Sequence, residues 1–204
     1  MEIKNRILNH ATALFMRNGI KSVSMDDIAA SMAMSKKTLY KWFANKDEMV
    51  YAVMAQHLDT TQRDCEQLQS QATSAIDELF RMMGWIRQQF SDVHPSIFYD
   101  MQKFHPATWQ LWVQHKQEYI LNQITDNLRR GMAEGLYRAD LDVEVLARLR
   151  LAQIELAFNA DVFPSRQFDV QRLQQRILEH FMLGIASLKG HKLINDLRHV
   201  TEIE

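Results

Sequence analysis

Lys36, Lys37, Tyr40 and Lys41 fall at i, i+1, i+4 and i+5, a spacing that gathers three ammonium groups and a phenol on one side of an α-helix. Ammonium and hydroxyl groups at that density suit phosphate oxygens and the acceptor edges of bases. Thr38 adds a hydroxyl within the same run. Ser35 stands where a helix cap belongs, and Leu39, Trp42 and Phe43 share the opposite, apolar side. Three lysines and a tyrosine on a short helix more often form a solvated face than a binding one, so the surrounding elements must decide.

Those elements are legible. Ser24 is a second N-cap, with Asp26 and Asp27 in the first turn facing the positive end of the helix dipole, and Met25, Ile28, Ala29 and Met32 then recur at helical spacing. Two capped helices separated by Ala33-Met34 match a helix-turn-helix, whose second member enters the DNA major groove with its N-terminal residues nearest the bases. Upstream, Ile3, Ile7, Ala11, Leu14 and Phe15 form a stripe that stops at Asn18-Gly19, a left-handed C-cap signal. Three helices make a head, with Ile20 and Val23 closing its base. Downstream, Asn45-Lys46-Asp47-Glu48 opens a longer helix, expected to reach about Leu68, and sets Lys46 in its first turn beside free backbone amides.

The stretch from Ile3 to Met49 resembles the N-terminal domain of the TetR, or tetracycline-repressor, family. The likeness rests on Ala11, Leu14-Phe15, Asn18-Gly19, Val23-Ser24, Asp27-Ile28-Ala29, Ser35, Thr38-Leu39-Tyr40, Trp42-Phe43 and Lys46-Asp47-Glu48, all at the family's spacings without a gap. Where the family often carries glycine before Thr-Leu-Tyr, this chain has Lys37, which adds charge and reach. The resemblance implies DNA binding, with Ser24, Tyr40, Lys41 and Lys46 matching the family motif. Ser35, Lys36, Lys37 and Thr38 complete the candidate DNA-binding set from their own chemistry and place, since Lys37 departs from the family and a relative's base contacts do not carry over. Lys36, Lys37 and Thr38 are placed toward base edges, and Ser24, Tyr40, Lys41 and Lys46 toward phosphates.

Charge is distributed accordingly. The 204 residues carry a net charge of −1, but residues 1 to 47 hold eight Lys or Arg against four Asp or Glu, a local +4 that leaves −5 for the remainder. Six glycines and three prolines in the whole chain argue for long helices and few turns, so an all-α fold is expected: a head over residues 1–47 and a helical bundle over 48–204 for ligand binding and dimerisation. A single cysteine, Cys65, excludes an intrachain disulfide. No apolar run approaches a membrane span, and a cytoplasmic protein is expected.

Further along, apolar spacing predicts helices over Ser74 to Phe90, Ser96 to Phe104, Pro106 to around Gly131 to Gly135, about Asp142 to Ala160 and about Val170 to Leu188, with a last short one within residues 191–204 through Leu193, Ile194, Leu197 and Val200. Apolar residues on more than one side of the 142–188 pair call for a partner beyond the chain's own core. In TetR relatives the corresponding pair forms a four-helix bundle with a second subunit.

No nucleotide-binding glycine loop, nucleophile elbow or HExxH is present, and the carboxylates are scattered, so neither catalysis nor a cofactor is expected. His94, His105 and His115 lack metal-ligand spacing. Between Met82 and Tyr119, however, aromatics and methionines concentrate, and Met83, Trp85, Phe98, Tyr99, Phe104, Trp112 and Tyr119 are candidates to line an apolar ligand pocket that the family resemblance implies. The sequence thus points to a homodimeric TetR-like regulator, expected to be a repressor, that binds a palindromic double-stranded operator and is released by an apolar or amphipathic small molecule. The competing class is a helical sequestering protein whose head docks on protein instead of DNA.

Overall fold

In the computed structural model, which describes residues 3–90 and 93–198, the chain is helical throughout, with one isolated antiparallel bridge between Tyr137 and Ala186. The head consists of α1 (Ile3–Asn18), α2 (Met25–Ser31) and α3 (Lys36–Tyr40). α1 buries Ile7, Leu8, Ala11 and Phe15 and ends at Gly19, whose φ of +80° is the left-handed cap expected there. Ile3 departs from the expected stripe: as the first residue of the helix it is 49% exposed.

Side-chain caps set the helix starts. Ser24 accepts from the Asp27 amide, while its own amide and hydroxyl donate to the Asp27 carboxylate at 2.9 and 2.6 Å, a reciprocal capping box. Ser35 accepts from the Thr38 amide at 3.1 Å. Between them Ala33 adopts φ +50°, the left-handed residue that turns α2 into α3.

From Asn45, which accepts from the Glu48 amide, α4 (Lys46–Gln71) runs out of the head, three residues beyond the expected end. The acid at N3 caps one residue further back than the usual box: Glu48 Oε2 accepts from the Ala44 amide at 2.7 Å. Met49, Val50, Val53, Met54 and Leu58 of α4 join the head's core, which continues through Ile97, Met101 and Trp112.

The remainder comprises α5 (Ala75–Gln89), α6 (Ile97–Phe104), α7 (Pro106–His115), a π-helical turn (Lys116–Ile120), α8 (Leu121–Ala133), α9 (Val143–Leu156), α10 (Val170–Ile185) and α11 (Leu188–Arg198). Pro106 opens α7 at N1, where its missing N–H costs nothing. The single helix expected from Pro106 instead contains the π turn, one residue of slack that apolar periodicity does not reveal. α11 begins before the expected position and buries Ile194; Val200, assigned to the same stripe, lies outside the described residues.

α8 is locked to the connection after it by contact rather than by charge. An added Cβ at Gly131 would lie 2.1 Å from the Tyr137 ring, whose hydroxyl donates to Asn127 at 2.9 Å, and Asn127 donates on to the Ala75 carbonyl.

Candidate nucleic-acid interface

α3 is only five residues long, so its placement depends on packing: Leu39 and Phe43 are fully buried in the head's core, which fixes the opposite side outward. Lys36, Lys37 and Lys41 are exposed, and Tyr40 is 47% exposed. Two of the three base-edge candidates are already engaged. Lys36 Nζ donates to Asp26 at 2.6 Å across the α2–α3 turn, and that carboxylate raises the Lys36 pKa. The Thr38 hydroxyl shares a 2.8 Å hydrogen bond with Ser35. Lys37 and Lys41, among the described residues, make no side-chain ion pair or hydrogen bond, and of the two only Lys37 lies within α3 itself, next to its N-terminal start.

Lys36 and Asp26 are both well exposed, and a pair of that kind is exchanged for phosphate or base contacts at little cost. Ser24 and Asp27 are held together by the capping box, and the Ser24 hydrogen bonds keep the Asp27 carboxyl below its usual range. The carboxylate is therefore engaged with its own helix start rather than facing a DNA backbone unmatched.

Beside α3 lies a cleft of about 290 Å³ lined by Lys21, Ser22, Val23, Ser24, Met25, Asp26, Tyr40 and Lys46. Lys46 lowers its own solvation by entering it: burial shifts its pKa down, against Asp100, Asp47 and Asp27, and its Nζ donates to the Lys21 carbonyl at 3.4 Å. A tyrosine hydroxyl, a serine hydroxyl and two ammoniums around one concavity suit an anionic oxygen group. Lys21 and Ser22, part of this wall, escaped sequence reasoning because they sit in a turn without periodicity; the only signal was their position between two caps.

The second expected site is divided. Phe98 sits at the centre of an aromatic group, with ring centroids 5.0 Å from Trp112, 6.4 Å from Trp109 and 4.5 Å from Phe158. Trp85 reaches it through Phe90, donates to Asp64 and packs beside the α4–α5 contact. Tyr119 lies along the same helix as Trp112 and donates to the Gln62 carbonyl at 3.2 Å. Met83 packs instead against the α5–α8–α10 core. Tyr99 and Phe104 are not brought to this group: they are 54% and 39% exposed, with Lys103 against both rings and Lys21 over Phe104. A period of 3.6 places Phe98 and Tyr99 about 100° apart on one helix, so both cannot face the core.

Polar bridges join this region to the head. The Asp47 carboxylate in the first turn of α4 pairs with His105 Nδ1 at 2.6 Å, and buried Asp100 accepts from the Lys21 amide at 2.9 Å. The His94 amide donates to the Met16 carbonyl at 2.6 Å. α6 and its flanks are thus fastened to α1, the loop after it and α4.

The profile of bacterial regulatory proteins of the tetR family matches residues 7–53, which cover most of α1, all of α2 and α3, and the start of α4. The head carries the TetR-family pattern. Over nearly its whole length it is similar to the HTH-type transcriptional repressor KstR2 of Mycolicibacterium smegmatis, with 27% identity across 93% of each chain. The head alone is 42% identical over 53 residues to the HTH-type transcriptional regulator UidR of Escherichia coli K12, covering 26% of this chain and 27% of that one. A TetR-family transcriptional regulator from Agrobacterium tumefaciens superposes with a TM-score of 0.74 at 18% identity, covering 90% of this chain and 97% of that structure. The TetR head and an all-helical second part are therefore both present, and the chain is a helix-turn-helix transcriptional regulator. Its relatives are regulators rather than enzymes, and among the described residues no helix is long and apolar enough to cross a membrane.

Proposed function

We propose that this protein is a TetR-family repressor that binds a palindromic operator as a homodimer in the cytoplasm and leaves it when a small apolar or amphipathic molecule binds its helical part. The observation that carries the reading is the exposed Lys37 on an outward-facing α3, flanked by the Lys21–Lys46 cleft. In this reading residues 1–47 contact DNA and 48–204 bind effector and partner. Lys37, with Lys36 once released from Asp26, and Thr38 address base edges, while Ser24, Tyr40, Lys41 and Lys46 hold phosphates and Ser35 fixes the helix start.

Two-fold symmetry would present two copies of α3 to major-groove faces about 34–36 Å apart, or a small multiple of that. Val145, Leu149 and Leu156 form an exposed apolar stripe on α9 that supports pairing through the α9–α10 hairpin. The effector enters between helices near Trp85, Phe98 and Trp112 and displaces α6. Through the Asp47–His105 and Asp100–Lys21 bridges that displacement turns α4 as a lever and changes the spacing of the two heads. Only a ligand with higher affinity for the separated form releases DNA.

Electrophoretic retardation of the DNA upstream of the protein's own gene tests the reading. Sequence-selective retardation is expected; none at low salt would place the chain in the sequestering class instead.

A further inference from the structure

α9 packs against α8 with Ala147, Arg150 and Leu151 buried. Arg150 is 7% exposed, yet among the described residues its guanidinium enters no hydrogen bond or ion pair, and its Nη1 is sealed from solvent without an acceptor. The other buried ionisable groups are answered: Glu78 by Arg130, Asp100 by the Lys21 amide and Ser96, His105 by Asp47. Burial lowers the Arg150 pKa only to about 10, so the group stays charged at neutral pH. An unpaired cation is among the costliest features a helical interior can hold.

A second unfinished group stands beside it. Gln153 lies three residues on, on the same face of α9, and its Oε1 is buried without a partner. Since a carboxamide can turn end for end, Gln153 can equally present its N–H there.

The position is fixed from the other end of α9. Glu155 accepts from Trp112 Nε1 and Lys116 Nζ, both at 2.7 Å, which pins that end to the start of the π turn. α9 runs back along α8, so Arg150 stands about 7.5 Å further along the axis, toward the far end of that turn. Ala147, one turn before Arg150 on the same side of α9, packs in one apolar cluster with Leu121, Ile124 and Leu146, and the Phe98–Trp112–Phe158 rings lie toward Glu155 at the other end.

We propose that Arg150 is the counter-ion for a carboxylate carried by an apolar effector, with Gln153 as a second donor; this rests on the proposed effector switch and names the ligand's chemical class. The planar guanidinium fork matches a carboxylate through two parallel N–H donors, and the apolar body of the ligand lies among the neighbouring aliphatic and aromatic side chains.

The test compares decanoate with decanol on the full-length protein by thermal melting, without DNA. Decanoate is expected to raise the melting midpoint by about 5 °C near saturation, and its Kd to be at least about thirtyfold below that of decanol. Arg150→Met is expected to remove the preference, while Arg150→Lys, which keeps the charge without the fork, retains part of it. Acid and alcohol behaving alike in the wild type, or a preference that survives in Arg150→Met, overturns the assignment. DNA release is read separately: Arg150-dependent decanoate binding that leaves the operator complex intact upholds this site and removes the effector switch, whereas release by both probes alike removes only the carboxylate.

Discussion

At the scale of single residues, three cations on α3 look equivalent in sequence and are not equivalent in the folded head. Lys36 is held by Asp26, while the side chains of Lys37 and Lys41 have no partner among the described residues: Lys37 projects from the start of α3 and Lys41 follows its last turn. Lys37→Ala is therefore expected to cost about 1–3 kcal/mol of operator binding and to relax preference at one base pair, measured by fluorescence anisotropy on operators varied base by base. Lys46→Ala is expected to weaken all sequences alike and to flatten the salt dependence by about one unit. An unchanged slope would remove Lys46 from the phosphate contacts. What hid this ranking from the sequence is that Asp26 lies ten positions before Lys36, so only folding shows which ammonium is spoken for.

Cys65 is inert for a similar reason: burial, aided by Asp64, Glu78 and Glu66, pushes its thiol up to about 12, so it holds no thiolate at neutral pH.

At the scale of elements, the starts of helices were legible and their joints were not. Ser24, Ser35 and Asn45 cap the helices as expected, and Ser74 and Asp142, expected only as helix starts, prove to be caps as well, because capping is a local contest between one side chain and two or three amides. The π turn, the polar last turn of α4 and the Asp47–His105 bridge depend on partners distant in sequence, and periodicity carries no trace of them. The same holds for the joint at Gly131, where the helix has no room for a side chain against Tyr137. Gly131→Ala is expected to destabilise by about 1–3 kcal/mol, or roughly 5 °C in the melting midpoint, with α3 unaffected.

The contact of α4 with α7 is expected to respond to acid. Burial lowers the pKa of His57 on α4 and of His115 at the end of α7 below the ordinary imidazole value. A group whose folded pKa is depressed contributes full stability above its unfolded value of about 6.5 and loses it as pH falls. The melting midpoint should therefore drop from pH 7 to pH 5, and His57→Leu should flatten that drop. A pH profile unchanged by the substitution would show that the loss arises elsewhere.

At the scale of the whole molecule, the proposed division of labour sets a basic head against an acidic remainder, and the exposed apolar stripe on α9 is the surface proposed for pairing. Val145, Leu149 and Leu156 are 58%, 48% and 37% exposed, which leaves apolar surface open on the side of α9 away from α8. Leu149→Arg is expected to convert a dimer into a monomer in analytical ultracentrifugation and to weaken operator binding steeply, since one head alone covers half a site. The all-α architecture and the head were readable because caps and apolar spacing agree there. The division of the aromatics was not, since Phe98 and Tyr99 are neighbours in sequence, about 100° apart on α6, and only Phe98 reaches the aromatic group.

The proposed mode of action has two exposed α3 segments, held apart by a dimeric helical body, reading duplex DNA together. Sequencing of random duplexes retained by the purified protein tests it most directly, because retention, half-site sequence and spacing are read at once. An inverted repeat is expected, with half-sites about one helical turn, or a small multiple of it, apart. Recovery of unselected sequence, or of a single half-site with no symmetric partner, would contradict it.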